Sequence, residues 1–199
     1  MKSNYSIPSK PLIFVALSFL TLSTNTAQND SSGIYNTVVN YQQHQLSYAI
    51  NYKTQKYKIN DDLLLNGNVI KITHDGVKHI LLKIDTYGYR NTKGQDFRFI
   101  DNKEYKILNS GEPLLIYTYQ NPSRAHKQSY PYPMEYFFSI DASSIPQHVT
   151  KANLKSAYLQ NHRFHDELDS QIKDEKDLPL FDNFHNTYKI VRILRNSKA

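Results

Sequence analysis

Phe97-Arg98-Phe99, and shortly after it Glu104-Tyr105-Lys106-Ile107, alternate apolar and charged side chains. A strand turns successive side chains to opposite faces, so each stretch reads as a strand with one buried and one wet face. The pattern continues on both sides. Asn109-Ser110-Gly111-Glu112-Pro113 is a turn cluster, and Leu114–Gln120 is a continuous apolar strand. Met134–Ile140 is another strong strand. Upstream, Thr92-Lys93-Gly94 makes a turn after Tyr87–Asn91. Asn68–His74 and Val77–Lys83 flank Asp75-Gly76, a pair that accepts the positive φ of a tight hairpin. Thr37–His44 reads as a short helix, and Asn60-Asp61-Asp62 as a turn before Leu63-Leu64-Leu65.

After Pro146 the apolar period changes from two to near 3.6. Thr150 caps a first helix carrying Leu154, Ala157 and Tyr158. Asn161 caps a second with Phe164, Leu168 and Ile172. Asp177 caps a third, with Phe181, Phe184, Tyr188, Val191 and Leu194 on one stripe. Strands followed by helices spell an α+β fold. The expectation is an antiparallel β-sheet meander of about six to eight strands, followed by about three C-terminal helices packed on or beside it.

Composition sets outer limits. The 199 residues suit one domain plus a leader, and zero Cys excludes disulfides, thiolate metal sites and a cysteine nucleophile. Residues 1–27 read as a secretory signal peptide: Lys2 and Lys10 precede the apolar run Pro11–Leu22, and small and polar residues lead to Ala27. Residues 28–32 read as a flexible lead-in, and 33–199 as a single α+β domain. The apolar run is short for a bilayer span, so no transmembrane segment is expected after signal cleavage. The expected location is secreted or periplasmic. Without the leader's Lys2 and Lys10 the net charge of +6 falls to +4, which is mild, and the lysines are scattered, so no nucleic-acid partner is expected.

Tyr87-Gly88-Tyr89-Arg90, Gly94 and Phe97-Arg98-Phe99 carry a resemblance, as do Asn161-His162-Arg163-Phe164-His165-Asp166, Phe184-His185 and Tyr188-Lys189. Together they resemble a family of small secreted proteins of unknown function from Bacteroidota bacteria. The resemblance spans about residues 33–195 and implies an exported bacterial protein. It carries over no catalytic residue.

Two groups of residues are candidates for a site. His162, His165 and Asp169 stand at i, i+3 and i+7 of the second helix and can share one face. Neutral imidazole and carboxylate are ligands for a divalent metal. His185, on the third helix, would join them if the two helices pack antiparallel. The competing reading is a solvated helix face with hydrogen-bonded histidines. The second group surrounds the proline-rich loop 121–133: Tyr119, Arg124, Tyr130 and Tyr132, with rigid amphipathic rings suited to partner or glycan contact. Strand alternation explains many of the 16 Tyr without function. Ser110-Gly111 lacks the surroundings of a nucleophile elbow, and phosphate and dinucleotide loops are absent. The leading expectation is therefore an exported soluble protein that binds an envelope or extracellular ligand or protein without catalysis and needs no cofactor. The alternative is a metal-dependent enzyme or metal carrier.

Overall fold

The expected meander is present, and its turns show why. In the computed structural model, which describes residues 31–51, 53–55, 59–60, 67–119 and 134–198, six strands follow one another antiparallel. They are β6 (Gly88–Arg90), β7 (Asp96–Ile100), β8 (Lys103–Ile107), β9 (Leu115–Tyr119), β10 (Glu135–Ser139) and β11 (Gln147–His148). The tightest connection, Asp101-Asn102, has φ of 49° and 63° at its two residues. Asp and Asn tolerate that left-handed region better than other side chains. β1 (Ser31–Tyr35) pairs with β6, and β2 (Ser47–Asn51) pairs with β1, completing an eight-stranded sheet in the order β11-β10-β9-β8-β7-β6-β1-β2.

Strand β1 corrects one boundary. Ser31 and Ser32, assigned to the lead-in, belong to the sheet, and Ser32 is buried opposite Ile50. Pairing of both serines with β2 overrides the polar, turn-prone local composition. The signal peptide and residues 28–30 lie outside the described residues.

The Asp75-Gly76 hairpin forms as read. Both residues have positive φ, at 50° and 77°, and join β4 (Val69–His74) to β5 (Val77–Leu82). With β3 (Ile59–Asn60) they make a separate three-stranded sheet, ordered β3-β4-β5. Its inner residues Ile70 and Ile72 pack on Ile34, Tyr89 and Phe99 of the large sheet. Gly88 is needed where it stands: a Cβ there would lie 1.9 Å from the Phe97 carbonyl oxygen.

The C-terminal helices cover the other end of that same face, while the short N-terminal helix lies on the opposite one. Helix α1 (Val38–Gln42) lies near the N-terminus, within the stretch read as a short helix, and Thr37 caps it. Helix α2 (Lys151–Ala157) starts at Thr150, whose Oγ1 accepts the Asn153 N–H at 3.1 Å. Helix α3 (His162–Gln171) starts at Asn161, whose Oδ1 accepts the Phe164 N–H at 3.0 Å. Phe164, Leu168 and Ile172 pack with Leu154 against Leu114, Ile116 and Phe138 of the sheet.

The third helix is shorter than its apolar stripe promised. Asp177 ends a single 3₁₀ turn, Glu175–Asp177. Phe181–Asp182 (β12) and Thr187–Tyr188 (β13) form a small hairpin, and only Lys189–Asn196 is helical (α4). The reason is local. Asp182 accepts the backbone N–H groups of Phe184 and His185, and Asn186 has φ of 50°, which together turn the chain where a helix would continue. Phe184 therefore points to solvent, 91% exposed. Ile190, Val191, Ile193 and Leu194 of α4 complete the apolar core.

Candidate functional site

The two faces of the large sheet differ in chemistry because of strand alternation. One face presents Tyr89, Phe99, Ile116 and Phe138 to the small sheet and the helices. Between these two packed layers sits one buried ion pair: Lys83 Nζ lies 2.7 Å from Glu104 Oε1, and the Tyr89 hydroxyl donates to Glu104 Oε2 at 3.2 Å.

The opposite face is lined with tyrosines and ion pairs. Tyr35, Tyr41, Tyr105, Tyr117, Tyr119 and Phe137 form one cluster. Within it the Asp96 carboxylate, 2% exposed, accepts from four donors. These are Tyr35 Oη at 3.0 Å, Arg90 Nε at 2.8 Å, Arg90 Nη2 at 2.9 Å and Ser110 Oγ at 2.9 Å. The Arg98 guanidinium donates to the Tyr117 hydroxyl and to the carbonyls of Ser143 and Ser144, and it lies 5.2 Å from the Tyr87 ring centroid. It thereby clamps the loop after β10 onto this face. Tyr117 and Ser139 hydroxyls continue the chain to the Asp141 carbonyl. Burial raises the pKa of Tyr35, Tyr87 and Tyr117, and pushes that of Tyr41 up to about 12. All four phenols therefore keep their protons at neutral pH.

Three connections meet beside this network and leave a cleft of about 260 Å³. The end of α1 supplies Tyr41, Gln42 and His44. The β8–β9 turn supplies Glu112 and Pro113, and the clamped loop supplies Asp141 and Ala142. Leu115 also lines it. The carboxylates have distinct settings. Glu112 is ion-paired with Arg195 of α4. Asp141 Oδ1 accepts from the backbone N–H and hydroxyl of both Ser143 and Ser144. Those bonds lower the Asp141 pKa from 3.8 to about 2, so it is ionised at any ordinary pH.

His44 is the unusual member. The His44 N–H donates to Tyr41 O and the Gln45 N–H to Asn40 O, which is the Schellman closure of a helix. That closure places a left-handed residue just past the helix, normally glycine. Here it is His44, with φ of 54°. Its Nδ1 is buried and has no hydrogen-bond partner, and neither has the buried Tyr41 hydroxyl. The Ser110 hydroxyl lies beside Tyr41 and donates its proton to Asp96, leaving only its acceptor lone pairs to face the Tyr41 phenol.

The residues singled out from sequence fall elsewhere. His165 Nε2 lies 3.1 Å from the carbonyl oxygens of both Lys155 and Tyr158, so it closes the C-terminal end of α2. The His162 ring is 6.0 Å from it, edge to face. Asp169 pairs with Lys155 at 2.6 Å and Lys151 at 3.6 Å, and the Lys155 hydrogen bond holds its pKa below the usual carboxylate range. His185 sits in the β12–β13 hairpin instead of a helix, with Nδ1 2.8 Å from Asp182 Oδ2. The structure does not bring the four together. Among the described residues no group of three or more His, Asp or Glu side chains is placed to hold a metal ion. Tyr119 is buried and stacked on Tyr105 at 5.1 Å, a core position. Arg124, Tyr130 and Tyr132 lie outside the described residues.

Sequence reading passed over Tyr41, His44, Glu112 and Asp141. Three of them lie in or beside segments read as a short helix or as turn chemistry. A histidine at a helix stop, where glycine is the usual residue, was the one signal that could have found the cleft. No helix among the described residues is long and apolar enough to cross a membrane. No protein-family model, curated protein or solved structure matches this chain.

Proposed function

We propose that this chain is an exported, soluble binding protein of the bacterial envelope, acting in the periplasm or outside the cell, and that it holds a small polar ligand without catalysis. The ligand site is the cleft between α1, the β8–β9 turn and the loop after β10. One observation carries the reading. His44 keeps a left-handed conformation that costs a non-glycine residue about 1–2 kcal/mol, and it places a buried, unpartnered ring nitrogen at the cleft. Strain and an unsatisfied polar group at one residue are features that ligand binding explains better than stability does. The Tyr41 hydroxyl supplies a donor and Asp141 a permanent negative charge, which favours a ligand carrying an amine.

The leader-like residues 1–27 and the likeness of the Tyr87–Phe99 and Asn161–Asp166 segments to secreted Bacteroidota proteins support the exported location.

Native mass spectrometry of the protein purified from its host's envelope fraction tests the reading. A bound organic mass is expected. It should be retained by the wild-type chain and weakened by Asp141→Asn. His44→Gly should lose it while raising the melting temperature, since glycine relieves the strain. An empty wild-type chain whose melting temperature is unmoved by a panel of small amines would remove the proposal.

A further inference from the structure

The three-stranded sheet ends in a free edge with an unusual composition. Its order is β3-β4-β5, so β5 is paired on one side only among the described residues. Proteins ordinarily blunt such edges with short strands, bulges, proline or charge. The other edges here follow that rule. β11 has two residues, and β2 is interrupted by a shifted register against β1 and by Tyr48 at φ 52°. β5 has six residues in unbroken register with β4, no proline, and Lys78 as its one charged side chain, at one end of the strand.

The phase of its hydrogen bonds follows from the hairpin. A two-residue turn makes the flanking pair, His74 and Val77, the first bonded pair. Bonded pairs then recur at every second position, and the Lys83 N–H to Asn68 O bond of 2.8 Å lies in that phase. The N–H and C=O groups of Lys78, Ile80 and Leu82 therefore face away from β4. The side chains of the same three residues are all on the outer face. Ile80 is 67% exposed and Leu82 45%, and Ile84 just beyond is 70% exposed.

We propose that β5 pairs with β5 of a second copy, antiparallel about a two-fold axis at Ile80, giving a six-stranded sheet across a homodimer. The register is fixed by the backbone. Only residues 78, 80 and 82 have outward groups, the Leu82 carbonyl also accepting from Thr86 Oγ1 at 2.8 Å and keeping its second lone pair for a partner strand, and pairing Ile80 with itself sets Lys78 opposite Leu82 twice. Ile80 meets Ile80 on the outer face, flanked by the two Leu82 side chains and the aliphatic stems of Lys78. No like charges stand opposite one another along the paired residues. Each exposed Lys78 reaches the end of the other strand at which the exposed Asp85 lies. The arrangement is isologous and closes on itself, so it consumes both edges and stops at two copies.

Sedimentation of the purified chain at about 100 μM, above the micromolar Kd of a weak interface, should give twice the chain mass. Ile80→Lys, at an exposed position, should return the single-chain mass with unchanged circular dichroism. The chain has no cysteine, so Ile80→Cys adds the only thiol. Bonded antiparallel pairs hold Cα atoms about 5.5 Å apart, within disulfide reach, and mild oxidation should link the copies. Thr73→Cys on β4 should remain unlinked. A wild-type chain that stays single at that concentration overturns the proposal. So does a dimer that survives Ile80→Lys, or an Ile80→Cys chain that links no faster than Thr73→Cys.

Discussion

The two faces of the large sheet are stabilised by different physics. Against the helices, Leu114, Ile116 and Phe138 meet Leu154, Phe164, Leu168, Val191 and Ile193, an apolar packing with no charged member. On the other face the largest side chains are tyrosines, and the centre is Asp96 with its four donors, beside Arg98 with its carbonyl clamp. Apolar packing is non-directional and tolerates replacement by side chains of similar volume. A buried polar network is directional, and losing one member strands the others. The candidate cleft opens on the polar face, where the connecting loops are held by hydrogen bonds to side chains. The candidate cleft and the Asp96 and Arg98 networks thus share a face, whereas on the other face the buried polar contact is the Lys83–Glu104 pair with Tyr89, away from the helix-covered core.

This contrast can be broken by substitution. The most severe change expected on the polar face is Gly88→Ala, whose methyl would meet the Phe97 carbonyl at 1.9 Å. A loss of about 4 kcal/mol or more is expected, seen as insoluble or unfolded protein. A pair of near-isosteric substitutions sharpens the comparison. Asp96→Asn leaves the Arg90 guanidinium without its counter-charge and should cost about 3–5 kcal/mol. Leu168→Met, fully buried in the apolar core, should cost less than about 1.5 kcal/mol. Urea unfolding of both variants decides it: a smaller loss for Asp96→Asn than for Leu168→Met would end the distinction between the faces. Thr150→Ala removes the cap of α2 and should cost about 1 kcal/mol, measured in the same titration.

The smallest effect is a pH dependence at Asp141. Its folded pKa is lowered from 3.8 to about 2, so the bonds to Ser143 and Ser144 contribute fully above the unfolded value and are lost as pH falls through about 2. Protection of the Ser143 and Ser144 amides from exchange, relative to the intrinsic rate at each pH, should hold down to pH near 4 and fall across that window. No change between pH 4 and 2 would mean that the loop is held by the Arg98 clamp alone.

Much of this architecture is legible in the sequence. The alternation at Phe97–Phe99 and Glu104–Ile107, the Asp75-Gly76 hairpin, and the caps at Thr150 and Asn161 are local signals, and each forms where the pattern places it. The apolar stripe from Phe181 to Leu194 misleads because helical spacing does not report a competing turn. Asp182 and Asn186 bend the chain into a hairpin before the helix begins at Lys189. The spacing of His162, His165 and Asp169 puts them on one helix but does not say which neighbours claim them. Helix packing gives His165 to the carbonyls of α2, and Asp169 to Lys155 and Lys151.

The fold class, the order of strands before helices and the exclusion of thiol chemistry follow from the sequence alone, because periodicity, turn residues and composition act over a few neighbouring positions. Which side chains meet is a matter of tertiary packing. Tyr41, Glu112 and Asp141 are far apart in the chain, and the cleft exists because α1, the β8–β9 turn and the loop after β10 converge on one face. The partners of Asp96 are likewise drawn from β1, β6 and the β8–β9 turn. Convergence of that kind is set by strand order and register, which no local pattern encodes.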